Sequence, residues 1–262
     1  MKSIFFPALA TATLGLSLAG CSSNPTVASE TATAGGPALT NGPWRGVLTA
    51  QGQEIPFLFE VKTEADKPVV YLINKGPDGE KRLRCYNITS TGDSTTIRLH
   101  ATEAALVVRA DGPGKLKGWW VKYDSKMPSR VPLAATMGEQ LLFPAAGDSP
   151  PMDFRGTWRA TFRSPTGGSY PATATFEQTG SSLTGAFLAA PGNYRYLSGG
   201  VVDEKLHLSM FDGNQAVLFT ARNGPPEPID ITKEYAPNTL FGDFYSGMSG
   251  HETWTAVPAP GH

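Results

Sequence analysis

Glycine and proline interrupt this chain so often that long helices and coiled coils are disfavoured. The longest stretch without either residue has 19 residues, from Asp93 to Asp111. The chain contains 29 Gly and 22 Pro, and both residues destabilise the interior of a helix. Hydrophobic residues make up 40% of the 262 residues, enough for a packed core. The sequence therefore predicts a mostly β protein with one large domain or two of ordinary size.

Charge and cysteine content exclude several classes of protein. The formal net charge of −1 lacks the strong positive field that a nucleic-acid-binding protein needs, so no nucleic acid partner is expected. Two cysteines cannot build a disulfide scaffold or a four-thiolate metal site. The sequence also contains no phosphate-binding loop and no dinucleotide fingerprint, so we expect no cofactor.

The first residues have the pattern of an export signal. Lys2 is followed by an apolar segment, Ile4 to Leu18, which is too short and too interrupted by Pro7 to span a membrane comfortably. The segment ends in Leu18-Ala19-Gly20-Cys21, which resembles the bacterial lipobox. This resemblance implies that residues 1–20 are a signal peptide and that Cys21 is lipidated, with acyl chains such as palmitate. A plain cleaved signal with an incidental cysteine is the alternative.

The residues after Cys21 predict a membrane-tethered protein of the bacterial cell envelope. Ser22, in the position where a sorting signal would have Asp, favours the outer membrane over the inner one by resemblance to known signals. Residues 21–42 are mostly Ser, Thr, Ala, Gly and Pro, and such a flexible tether spans about 25 Å. The expected partner is the membrane, through the lipid anchor.

The rest of the chain reads as short antiparallel strands arranged in an internal repeat. Runs that alternate between apolar and polar residues, such as Pro171 to Phe176, are separated by turn residues every 8–12 positions or so. Leu116-Lys117-Gly118-Trp119-Trp120 in the first half corresponds to Leu240-Phe241-Gly242-Asp243-Phe244 in the second. The same order of motifs in both halves indicates a tandem duplication or two halves of one pseudo-symmetric structure.

We therefore expect an all-β protein of two meander units, each a small barrel or a sandwich, because both arrangements remove exposed strand edges. The predicted boundaries are 43–143 for β unit 1, 144–153 for a linker rich in Pro, and 154–258 for β unit 2. A stretch with four prolines, Gly224 to Pro237, is expected to be a surface loop.

Several motifs of the second half also occur in a known family. They are Gln178-Thr179-Gly180, Leu183-Thr184-Gly185, Tyr194 to Gly199, Leu208 to Gly213 and Trp254-Thr255-Ala256. Through them the chain resembles the β-rich N-terminal region of TlpA-like thiol-disulfide oxidoreductases, also called peroxiredoxin-like bacterial lipoproteins. Members of that family continue into a thioredoxin-like domain with paired cysteines, whereas this sequence has no Cys-x-x-Cys. The resemblance therefore implies a companion β module in the envelope, without the redox activity.

Candidate catalytic residues do not form a recognisable motif. Cys85 lies beside two arginines, which can lower the pKa of a thiol, or it is simply a small strand residue. The four histidines have no metal-binding spacing, and His251 and Glu252 should point to opposite faces of a strand. The carboxylates are scattered, so a pair of glycosidase acids cannot be placed from the sequence. No metal site is expected.

The aromatic residues suggest a binding face for an envelope protein, a peptide or a glycan. Of Trp119 and Trp120, one should face inward and one outward, and Tyr194 and Tyr196 should share the face opposite Arg195. An exposed aromatic ring beside an arginine can stack on a ligand. The same residues could equally cover the rim of a barrel.

The function expected from the sequence is a non-catalytic, membrane-anchored binding or accessory β module of the envelope. A small-ligand carrier that uses a barrel cavity is one alternative. A hydrolase of envelope glycans, with converging carboxylates, is another. A packed interior with an exposed aromatic face would favour the binding module.

Overall fold

The regular structure of this protein is β throughout the part of the chain that can be described. The computed structural model describes residues 39–100, 102–138, 141–144, 152–225, 232 and 234–260, and its elements are strands. No helix in these ranges has the length and apolar character needed to cross a membrane. The all-β prediction is confirmed. The predicted signal peptide, Cys21, most of the tether and most of the 144–153 linker lie outside the described residues.

The first sheet is an incomplete barrel of antiparallel strands. In chain order its strands are β1 (Gly42–Ala50), β2 (Gln53–Glu64), β3 (Lys67–Gly76), β4 (Gly79–Cys85), β5 (Ile88–Thr91), β6 (Ser94–Leu99), β7 (Ala104–Ala110), β8 (Lys115–Lys122) and β9 (Ser129–Met137). β1 pairs with both β2 and β9, and the sheet ends at β4 on one side and at β5 on the other. These two end strands are consecutive in the chain and do not pair with each other.

The second sheet closes completely into an eight-stranded meander barrel. Its strands are β10 (Gly156–Arg163), β11 (Ser169–Thr179), β12 (Ser182–Ala189), β13 (Gly192–Val202), β14 (Lys205–Phe211), β15 (Ala216–Asn223), β16 (Leu240–Ser246) and β17 (Gly250–Pro258). Each strand pairs with its neighbours in sequence, and β10 pairs with β17 to close the ring. The structure thus resolves the choice between barrel and sandwich in favour of barrels.

The internal repeat is visible in the equivalent strands β8 and β16. On each strand a Leu, a Gly and an aromatic residue point inward, Leu116, Gly118 and Trp120 in β8 and the corresponding three in β16. A Cβ atom on Gly118 would lie 1.9 Å from the carbonyl oxygen of Val107, and one on Gly242 would lie 2.2 Å from that of Thr220. Both glycines are therefore required by the same close approach of the neighbouring strand.

The two barrels differ at their fourth strand, and they contact each other beside this strand. In the second barrel β13 is continuous and pairs with β12 and β14. In the first, the corresponding segment breaks at Tyr86 and Asn87, between β4 and β5. The outward-facing side chains of the β14–β15 hairpin, Phe211, Ala216 and Leu218, pack into the core of the first barrel. The second unit therefore contributes side chains to the core of the first, while its own interior forms a separate core.

Candidate functional site

The interior of the second barrel is filled with aromatic side chains. The rings of Phe187 and Phe219 stack with centroids 4.4 Å apart, and Phe219 stacks on Phe244 at 4.5 Å. A cavity of about 50 Å³ remains near one end, beside Phe162 and Tyr194. Pockets for small organic ligands usually measure roughly 300–1,000 Å³. This space, bounded by described residues of the barrel, is too small for such a ligand, which counts against the carrier.

A tyrosine–carboxylate pair lies at the same end of the barrel. The Tyr170 Oη donates a hydrogen bond to Oε2 of Glu252 at 2.5 Å. Burial, and next the hydrogen bond to Glu252, raise the pKa of Tyr170 above its ordinary value. The Tyr170 phenol therefore stays protonated and donates its hydrogen bond to the Glu252 carboxylate. This arrangement positions a single acid, whereas a glycosidase requires two.

The two adjacent tryptophans of β8 face opposite sides of the sheet, as the alternation of a strand predicts. Trp120 is 2% exposed and packs edge-on against Phe211, with ring centroids 5.2 Å apart. Trp119 is 43% exposed and lies between Val107 and Pro132 on the neighbouring strands. It lines an open groove of about 510 Å³ on the outer surface. Of the two tryptophans, only Trp119 is exposed enough to contact a ligand on a binding face.

The structure separates Tyr194, Arg195 and Tyr196 instead of presenting them as one surface. Tyr194 packs into the barrel interior, 5.2 Å from the ring of Phe244, while Tyr196 lies 5.8 Å from the Nζ of Lys81 in the first sheet. Arg195 pairs with Asp78 at 3.3 Å. Both tyrosines pack against the core of the second barrel, beside the point where the β12–β13 register shifts between Gly185 and Phe187.

These residues therefore do not form one ligand face with Trp119. Gly76, at the end of β3, lies so close to the backbone of Arg195 and Tyr196 that an added Cβ would fall 2.1 Å from the Arg195 carbonyl oxygen. Arg195 and Tyr196 lie where the two barrels meet, and Tyr194 belongs to the core. Their role is structural in this arrangement.

Cys85 is buried in the first core and is not activated by its neighbours. Burial raises the pKa of the Cys85 thiol to about 12. The flanking arginines point to the opposite face, where Arg82 pairs with Glu60 and Arg84 pairs with Glu64, each at 2.6 Å. The structural interpretation of this cysteine is favoured over the reactive one, because a thiol of such a high pKa is protonated at neutral pH.

The described histidines each have a separate structural partner. Nε2 of His100 accepts hydrogen bonds from the amides of Tyr86 and Asn87 at 3.4 and 3.3 Å, which spans the break between β4 and β5. His207 packs on Phe143, and burial lowers its pKa. His251 lies outside the barrel and Glu252 inside. No group of three His, Cys, Asp or Glu residues within the described ranges could hold a metal ion.

A second groove, larger than the one beside Trp119, lies on the outside of the second barrel, where no motif was found in the sequence. It measures about 870 Å³ and runs over β16 and β17 between the edges of β10 and β15. Arg163 and Arg222 lie at its ends, and Tyr235 forms part of a wall. The only sequence signal was the occurrence of arginines at outward-facing strand positions. Their convergence on one groove depends on the register of four strands.

Comparison of the chain with protein-family models, with curated proteins and with solved structures found no match.

Proposed function

We propose that this protein is a lipid-anchored, non-catalytic binding module of the bacterial cell envelope. Its relationship to the β-rich region of TlpA-like lipoproteins is part of the proposal and rests on the sequence motifs alone. The lipobox at Cys21 supports the anchor, and Ser22 supports an outer-membrane location. Two or more acyl chains hold a protein firmly at a membrane.

One observation carries the binding role: the second barrel is filled and its grooves are on the outside. The packed rings leave about 50 Å³ inside, against 510 and 870 Å³ in the two outer grooves. A protein of this shape offers rigid surfaces instead of an internal ligand cavity. This supports a binding module over the carrier.

The anchor is tested by fractionating cells that express the full chain or its Cys21→Ser variant. The wild-type protein should sediment with the outer membrane, and the variant should be released into the soluble fraction. Ser22→Ala is the matched control, because it leaves the lipidated residue in place and should sediment as the wild type does. A Cys21→Ser protein that still sediments with membranes would refute the lipoprotein assignment.

The filled interior is tested with an apolar fluorescent probe, N-phenylnaphthylamine, added to the soluble Cys21→Ser chain. A carrier barrel binds such a probe saturably and raises its fluorescence. We expect no saturable increase here, since the interior space is smaller than the probe. Saturable binding that competes with long-chain fatty acids would support the carrier instead.

A further inference from the structure

The large outer groove of the second barrel has a floor of paired polar and aromatic side chains. Thr253 on β17 lies between Arg163 of β10 and Asp243 of β16 in the register of the sheet. In the next row, Phe241 of β16 lies opposite Thr255 of β17. The ring of Tyr235 meets the ring of Phe241 edge-on, with centroids 5.2 Å apart. The groove therefore combines hydroxyl groups with an aromatic wall.

Two guanidinium groups mark opposite corners of this groove. Arg163 is on β10 and Arg222 is on β15, three strand intervals apart in the order β10-β17-β16-β15. Neighbouring strands lie about 4.8 Å apart, which places the two backbone positions about 14 Å from each other across the sheet. Neither side chain makes an ion pair or a side-chain hydrogen bond to another described residue. Both are thus available to an anionic ligand that spans several units.

The groove also contains carboxylates that can accept hydrogen bonds from a ligand. Asp243 is oriented by His251, whose Nε2 lies 2.9 Å from its Oδ1. The other oxygen of Asp243 is left to accept a hydrogen bond, and Glu234 lies on the wall. Carboxylates accept hydrogen bonds from hydroxyl groups, whereas arginines bind carboxylates in a bidentate manner.

We propose that this groove binds an acidic oligosaccharide, with its carboxylates on Arg163 and Arg222 and its hydroxyl groups on Asp243 and the threonines. The apolar face of a sugar ring would pack against Phe241 and Tyr235. This inference deepens the proposed function and rests only on its binding role. An acidic peptide offers carboxylates to the two arginines but few hydroxyl groups to Asp243 and the threonines, so the mixed lining favours a sugar.

Titration calorimetry of the full chain carrying Cys21→Ser, with tetragalacturonate as the probe, tests the inference. We expect saturable binding that weakens with added salt, because the contacts are ionic. The methyl ester of the same oligosaccharide is the matched ligand, and it should bind much more weakly. Arg163→Gln and Arg222→Gln should each raise Kd roughly tenfold, the effect of losing a charge-assisted hydrogen bond. Arg130→Gln, an exposed position on β9 of the first sheet, is the control and should leave Kd unchanged.

Several results would overturn this inference. Equal affinity for tetragalacturonate and its methyl ester would show that charge plays no part. An equal loss of affinity in Arg130→Gln would show that the groove is not the site. Binding of a hexaglutamate peptide but not of the sugar would assign the groove to an acidic peptide. Absence of sugar binding alongside normal release of Cys21→Ser from membranes would refute this ligand class and leave the anchored-module proposal standing.

Discussion

Trp44 and Trp158 make the same contact at the start of each barrel. The Trp44 indole N–H donates to the carbonyl of Thr40, and that of Trp158 donates to the carbonyl of Phe154, both at 3.0 Å. Each indole is buried, with 1% and 6% of its surface exposed. In both repeats, one indole ring therefore binds the backbone four residues upstream and fills the end of the barrel.

The environment of Cys85 leads to a prediction about its reactivity. In the Cys21→Ser chain, the Cys85 thiol should not react with an aromatic disulfide reagent at pH 8, because it is buried with a pKa of about 12. It should react fully once the chain is unfolded in guanidinium. Met127→Cys is the positive control, since Met127 is highly exposed. Fast labelling of native Cys85, or disulfide reductase activity lost in Cys85→Ala, would contradict this prediction.

The environment of His207 predicts a pH dependence of stability. Burial, and then the charge of Lys205, lower the folded-state pKa of His207, while Asp203 opposes the shift. Between that lowered pKa and the ordinary value of about 6.5, the unfolded chain binds more protons than the folded one. The free energy of unfolding should therefore fall as the pH drops below about 6.5. Urea denaturation of the wild type and of His207→Gln measures this, and an identical fall in both would exclude His207 as its source.

At the scale of elements, the β14–β15 hairpin is held in the first barrel by hydrogen bonds as well as by its apolar side chains. The side-chain amide of Asn74 on β3 is buried and pairs with the backbone of Phe211 as a neighbouring strand would. Its Nδ2 donates to the Phe211 carbonyl at 2.9 Å, and its Oδ1 accepts from the Phe211 N–H at 3.1 Å. The Ser209 hydroxyl donates to the Pro56 carbonyl at 2.6 Å. The hairpin thus belongs to both barrels at once.

Removal of the Asn74 side chain should weaken this junction. Asn74→Ala leaves the N–H and carbonyl of Phe211 buried without these partners, at a cost of about 1–3 kcal/mol for each group. We expect a total loss of roughly 2–6 kcal/mol in denaturant unfolding. Thr173→Ala, an outward-facing change on β11, is the control and should cost less than about 0.5 kcal/mol. An Asn74→Ala protein as stable as this control would show that the junction contributes little.

At the scale of the whole molecule, the second barrel completes the core of the first. Phe211 and Leu218 of the second barrel are part of the first core, and the described residues from 39 to 260 fall within one compact unit. The first sheet begins at Gly42 and the second ends at Pro258, and the first core takes side chains from both sheets. Loss of either barrel would therefore expose apolar surface of the other.

Because side chains of the second barrel complete the core of the first, we expect a single unfolding transition. Trp158→Ala should lower the free energy of unfolding by about 3–5 kcal/mol, the range for a large buried aromatic. The whole circular dichroism transition should shift, and Trp44→Ala should act likewise. Met127→Ala is the control, since Met127 is 82% exposed and such a surface change usually costs less than about 0.5 kcal/mol. Two transitions in Trp158→Ala, with one at the wild-type midpoint, would mean that the barrels fold independently.

The sequence by itself determined the elements of this protein, because strands and turns depend on local patterns. Period-2 runs placed the strands, and the Leu-x-Gly-x-aromatic motif identified β8 and β16 as equivalent. The alternation of side chains along a strand also placed Trp119 and Trp120 on opposite faces, and it did the same for His251 and Glu252. Each of these inferences needed only neighbouring residues.

Only the tertiary structure decided how the barrels close, where they meet and where the outer groove lies. The break at Tyr86 and Asn87 leaves the first barrel incomplete, and a register shift interrupts the β12–β13 pairing between Gly185 and Phe187. The groove joins side chains from four strands, with Arg163 and Arg222 about 60 positions apart in the chain. These features depend on register and on contacts between distant segments, which the local alternation of a strand does not encode.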